Sequence, residues 1–195
     1  MEIDSIVNSL KTMSQVSNYK IYVSGSLPMN VGFRLKAKAT QADLKKFDKI
    51  NYSLPNDYLA FISQINGAEL FTDGKYIQKC KIYSIQEVLH WREFLRSSGF
   101  YPEWDKLLPI LELQDIGQLI LNLERYENQE DYLLYPDESN KYFHIGFTEW
   151  LNNYLLTNGS EFWYMKLIRN EISSKPSRTI PLRVGYVRII GVISK

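Results

Sequence analysis

Two histidines, one cysteine and scattered carboxylates are the side chains in this sequence with reactive potential. His90 and His144 lie far apart, and neither belongs to an HExxH pair; CxxC pairs and Asp/Asn-rich calcium loops are also lacking, so no metal-ligand spacing can be read. His90 sits beside Trp91 in an apolar stretch and reads as an edge histidine. Cys80 alternates with Gln78 and Ile82, as in a strand, and reads as a half-buried small hydrophobe. A nucleophile needs a base within hydrogen-bond reach, and no GxSxG elbow supplies one. Glu112, Asp115, Glu124 and Glu127 offer carboxylates of the kind a glycosidase pairs, but any acidic surface offers as many. There is no GxxxxGK[ST] or GxGxxG, and the Ser24-Gly25-Ser26 turn is too short for a phosphate cradle. These residues predict a chain that is not an enzyme and uses no cofactor and no metal.

A different chemistry is suggested by an acidic run: Glu124, Glu127, Glu130, Asp131, Asp137 and Glu138, with Tyr126, Tyr132 and Tyr135 interleaved. It has two readings. One is a solvated loop and strand face, the usual fate of charge runs. The other is a partner-facing patch, in which carboxylates meet a basic cleft and complementary charge speeds encounter. Tyrosines among the acids would add the aromatic contact area that interfaces favour. On the second reading the partner-binding residues are Glu124, Tyr126, Glu127, Glu130, Asp131, Tyr132, Asp137 and Glu138.

The rest of the composition bounds these readings. The chain has 195 residues, 45% of them hydrophobic and 23% charged, which is ordinary globular composition and excludes wholesale disorder. A single cysteine excludes an internal disulfide. The amphipathic N-terminus MEIDSIVNSLKTMSQ lacks the basic start and apolar core of a signal peptide. No apolar run of about 18 residues occurs, so no membrane helix is expected, and the expected compartment is the cytoplasm. The net charge is +1, unevenly spread: residues 1–165 hold 16 Lys and Arg against 21 Asp and Glu, and residues 166–195 hold 7 against Glu171 alone. A direct nucleic-acid binder is not expected from that balance. The basic tail, with Arg183, Arg188 and Lys195, reads either as a guarded strand edge or as a contact for an acidic protein or a second copy.

Local signals place these residues on elements. Ile3, Ile6, Val7 and Leu10 have helical spacing over residues 3–16. Phe33, Leu35 and Ala37 alternate with Arg34, Lys36 and Lys38, which predicts a short strand with one basic face. Thr40 with Asp43 predicts a helix start in capping-box form. Pro55 fits a first helical turn, with Asp57 at the positive end of the dipole. Tyr58, Phe61, Ile62 and Ile65 continue that helix to Asn66-Gly67. Residues 76–83 read as a strand, and Ser84 with Glu87 as a second capping box opening a helix with Val88, Leu89, Trp91, Phe94 and Leu95. Residues 107–113, 117–123, 132–135 and 142–145 read as an antiparallel meander, and Thr148 or a neighbour caps a helix built on Trp150, Leu151, Tyr154 and Leu155. Residues 160–172 read as helix and 179–193 as a basic strand or hairpin.

That order resembles the SUKH superfamily, which includes the Smi/Knr-type yeast cell-wall regulators and many bacterial immunity proteins. Four pieces carry the resemblance over residues 40–157: Leu54-Pro55-Asn56-Asp57-Tyr58 with Phe61 and Asn66-Gly67; Ile82-Tyr83-Ser84-Ile85-Gln86-Glu87-Val88; Leu108-Pro109-Ile110 with Asp115 and Gly117-Gln118-Leu119-Ile120; and Phe147-Thr148-Glu149-Trp150-Leu151. Ala68 and Gln118 depart from the family pattern. The resemblance implies an α+β fold, a mainly antiparallel sheet packed with helices, over residues 1–160, with residues 161–195 as a basic extension. It implies a cytoplasmic, non-enzymatic immunity protein that binds a cognate toxin of a polymorphic toxin system, such as a nuclease with a basic cleft, as a monomer or weak homodimer. A regulatory scaffold of the yeast type is the alternative. Pro55, Tyr58, Phe61, Gly67 and Trp150 are expected to serve the fold.

Overall fold

Eight strands form one antiparallel sheet in strict chain order, β1 to β8. They are β1 (Tyr19–Ile21), β2 (Met29–Leu35), β3 (Ala68–Thr72), β4 (Gln78–Ile82), β5 (Leu107–Leu113), β6 (Gly117–Asn122), β7 (Leu133–Leu134) and β8 (Tyr142–Phe143). Six helices join them: α1 (Ile3–Ser14), α2 (Gln41–Leu44), α3 (Asn56–Gln64), α4 (Ile85–Ser98), α5 (Leu123–Glu127) and α6 (Phe147–Leu156). Two 3₁₀ segments, η1 (Lys45–Lys49) and η2 (Trp104–Lys106), complete the set. The computed structural model describes residues 2–16, 19–21, 28–75, 77–99, 102–135 and 141–163. Residues 164–195 of the predicted extension 161–195, and Asp137 and Glu138, lie outside the described residues.

The fold is the expected α+β arrangement, with helices on both faces of the sheet. On one face Leu70, Cys80, Ile82, Leu111, Leu113, Leu119, Leu121 and Leu133 are buried, in one cluster with Ile6, Val7 and Leu10 of α1, Phe61 and Ile62 of α3, and Trp150 and Leu151 of α6. The period of two sends alternate residues to the other face. There Ile120 and Leu134 are register partners. They join Leu107 and Leu95 of α4 in a second, smaller cluster backed by Trp104 and Tyr142. The rest of that face is polar: Arg34 pairs with Glu69, Glu69 with Lys81, Lys81 with Glu112 and Glu112 with Gln118 across five strands. Opposite charges in facing positions favour this register.

Both capping boxes form. Thr40 accepts from the Asp43 backbone and Asp43 from the Thr40 backbone. Hydrogen bonds from Lys46 and Thr40 hold the Asp43 carboxyl down at about 2. The helix it opens tightens into η1 after four residues. Ser84 and Glu87 cap α4 in the same way, and Gly99 closes that helix at φ 69°. Pro55 is the N-cap of α3 rather than a residue of its first turn, and Gly146 is the N-cap of α6, with Thr148 two positions further on.

Asn66-Gly67 does more than stop a helix. The Asn66 side-chain oxygen accepts from the backbone N–H of Ile85 at 2.9 Å, at the start of α4. Gly67 has φ 102°, and a Cβ there would lie 2.9 Å from the Ser84 backbone nitrogen. Only glycine permits that approach.

Two elements carry no clear sequence signal: β1, and α5, whose residues continue the apolar run of β6. Asn122 accepts from the Arg125 N–H at 3.2 Å and turns the chain from strand into helix.

Candidate partner-binding site

The acidic run folds back on itself. Glu124, Tyr126 and Glu127 lie on α5, and Gln129, at φ 60°, reverses the chain. Glu130, Asp131 and Tyr132 then return toward β7. Arg125 ties this loop together. Its Nε donates to the Asp131 carbonyl at 2.6 Å, its Nη1 lies 3.0 Å from Glu130, and its guanidinium sits 4.1 Å over the Tyr142 ring.

The four described carboxylates of the run all have internal partners. Glu124 meets Lys106 at 2.8 Å, and the same ammonium lies 3.3 Å from Glu103. The hydrogen bond with Glu124 raises the Lys106 pKa. Glu127 accepts from the Ser53 backbone N–H at 2.7 Å. Asp131 is in close contact with His144. Among the described residues these partners leave a negative excess: Glu103, Glu124, Glu127, Glu130 and Asp131 are set against Lys106 and Arg125 as permanent cations. Glu124 and Glu130 keep 44% and 48% of their side-chain surface exposed, so each can reach a second cation.

The tyrosines hold this ridge to the body. Tyr126 and Tyr132 meet edge to face at 5.2 Å. Tyr126 Oη accepts from the Asn56 N–H at 3.3 Å. Tyr132 Oη accepts from the Phe147 N–H at 3.1 Å and donates to Asp57 at 3.5 Å. Burial, and then the Asp57 charge, push the Tyr132 phenol up. Tyr135 lies apart from them, stacked on Phe143 at 3.9 Å. The structure therefore gathers Glu124, Tyr126, Glu127, Glu130, Asp131 and Tyr132. Sequence reasoning did not reach Lys106, Arg125, His144 and the Ser53 and Asn56 backbone, because they meet the ridge only through the fold.

Of the other reactive candidates, His144 joins the ridge through Asp131. Cys80 is fully buried, beyond the half-burial expected, and burial pushes its thiol up. His90 packs edge-on to Trp91, and His144 is 91% exposed. Among the described residues no three His, Cys, Asp or Glu side chains stand close enough to hold a metal ion. Among them, too, no helix is long and apolar enough to cross a membrane.

The α+β meander, with its motif residues joining helix to helix, agrees with a comparison against known families: the SMI1 / KNR4 family (SUKH-1) matches residues 38–153. The chain belongs to that family. The matched span covers more than half the chain, running from before α2 into α6. The chain is also similar to the uncharacterized protein YobM of Bacillus subtilis (strain 168), 28% identical over 134 residues, which are 65% of this chain and 70% of that protein. The SUKH family includes immunity proteins of polymorphic toxin systems.

Proposed function

We propose that this chain is an immunity protein that binds a cognate toxin and neutralises it by occlusion, with no chemistry of its own. The family supports the class of function, and the acidic ridge supports the surface. The observation that carries the reading is the charge excess at the ridge: Glu124 and Glu130 keep exposed faces while held by Lys106 and Arg125, on a segment that Tyr126 and Tyr132 tie to the body. Anchored side chains lose less rotamer freedom when a partner arrives. A toxin with a basic active-site cleft is the partner such a surface suits, by charge complementarity and steered encounter. Glu124, Tyr126, Glu127, Glu130, Asp131 and Tyr132 are the proposed contacts, with Asp137 and Glu138 continuing the run in sequence.

The test is co-expression in bacteria with the product of the neighbouring gene. Cell survival and complex recovery are scored with and without this chain. Rescue together with a stable complex supports the reading. A toxic neighbour that this chain neither rescues nor binds removes that pair, and a non-toxic neighbour that binds it moves the function to a regulatory scaffold.

A further inference from the structure

We propose that the cleft between η1, α4 and η2 is a binding site for an oxyanionic group, carboxylate or phosphate. The cleft encloses about 440 Å³, with Ile50, Leu89 and Trp104 as apolar lining and Lys46, Lys49 and Arg92 as cations. Arg92 is its centre. The guanidinium carbon lies 5.1 Å from the centre of the Trp104 ring, over its face. Its Nη2 donates to the Asp105 carbonyl at 2.8 Å. Its Nε is buried and has no acceptor among the described residues.

A guanidinium has five N–H donors and no acceptor, and among the described residues the Asp105 carbonyl takes one of those of Arg92. Removal from water disfavours its charged form, which the nearby Asp105 charge only partly offsets. A half-buried cation in this condition gains from an oxyanion that accepts two parallel hydrogen bonds. The cation–π contact with Trp104 and the hydrogen bond to Asp105 hold the guanidinium at the cleft. The other charges at the cleft are unequal. Lys46 is engaged by Asp43 at 2.7 Å, and Glu93 on the rim is taken by Arg96. Lys49 has no ion-pair partner among the described residues. Arg92 and Lys49 thus offer two cations around one apolar floor.

This inference is independent of any toxin and is tested on the protein alone. The side-chain Nε–H signal of Arg92 is followed by NMR while sodium phosphate, or in a second series sodium acetate, is added at constant ionic strength with sodium chloride. Saturable shifts of Arg92 and of the Trp104 indole N–H are expected. Saturation by phosphate alone assigns the site to phosphoryl groups, and saturation by both admits the carboxylates of acidic side chains. Arg92→Lys keeps the charge and removes the fork, and should weaken binding by roughly tenfold or more. Lys49→Gln is a surface change that leaves folding intact and should weaken it by roughly threefold or more. Shifts that stay linear with both salts, or Lys49→Gln and Arg92→Lys proteins that bind as tightly as the unaltered one, would overturn the assignment.

Discussion

The Asp57 carboxylate lies 2.9 Å from the Thr148 backbone nitrogen and 3.1 Å from its hydroxyl. A residue in the first turn of α3 therefore caps the first turn of α6, 91 positions away in the chain. Asn66 does the same for α4 through the Ile85 N–H. Conspicuous polar residues of the Leu54–Gly67 segment thus satisfy the otherwise unpaired donors of two later helices. This is why the segment reads as a fold determinant.

Asp57→Ala should lower stability by about 1–2 kcal/mol, the usual range for loss of a helix cap. Asp57→Asn should lose less, because its side-chain oxygen can still accept from Thr148. Urea denaturation of the three proteins measures both. Equal stability of Asp57→Ala and the unaltered protein would show that the contact contributes nothing.

Buried Tyr58 and partly buried Tyr132 should answer differently to loss of their hydroxyls. Tyr58 Oη is buried with no hydrogen-bond partner among the described residues, whereas Tyr132 Oη joins Phe147 and Asp57. Tyr58→Phe should be neutral or stabilising, since it removes an unpaired polar atom. Tyr132→Phe should cost about 1–2 kcal/mol, because it leaves a backbone N–H without its acceptor. Thermal unfolding of the pair gives the comparison directly, and a destabilised Tyr58→Phe would reveal a hidden partner for that hydroxyl.

Stability should fall in acid partly through Glu87. Partial burial pushes this carboxyl up, but hydrogen bonds from Lys81, Ser84 and Lys36 outweigh it and hold it down from its ordinary 4.5 to about 2. A depressed folded-state pKa means stability that is complete above the unfolded value and lost as pH falls through the folded one. The window is therefore about pH 4.5 down to 2. Melting temperatures over that range should drop more for the unaltered protein than for Glu87→Gln. Parallel curves would assign the acid sensitivity to other carboxylates.

The acidic ridge should not tolerate charge reversal everywhere equally. Glu127 accepts from a backbone N–H, whereas Glu130 meets a cation while about half exposed. Glu127→Lys should cost about 1–2 kcal/mol by orphaning the Ser53 N–H, and Glu130→Gln about 0.5 kcal/mol or less. Glu130→Gln is thus the cleaner probe of toxin binding. It should slow association and reduce its salt dependence, as surface plasmon resonance at two ionic strengths would show. Unchanged kinetics would place the contact elsewhere.

Much of the fold was legible because its signals are local. Thr40 with Asp43 and Ser84 with Glu87 act over three residues, and both boxes form. Trp150 and Tyr58 repeat at helical spacing with their neighbours, and both are fully buried. The hairpin at residues 114–117 turns where Asp115 and Gly117 take positive φ. The short helix α5 was hidden, because Leu121 and Leu123 continue the alternation of β6 while Asn122 ends the strand. Cap positions shifted by a residue or two where a neighbour, Pro55 or Gly146, met the backbone geometry better.

The sequence by itself determined the family, most of the order of elements and the faces that must be buried, since periodicity and capping are written within a few residues. Only the tertiary structure decided which carboxylate meets which cation, which side chain caps a distant helix, and that Arg92 and Lys49 share a cleft. Those pairings join residues remote along the chain. Their distances are set by how the sheet and helices pack, and no local pattern encodes them.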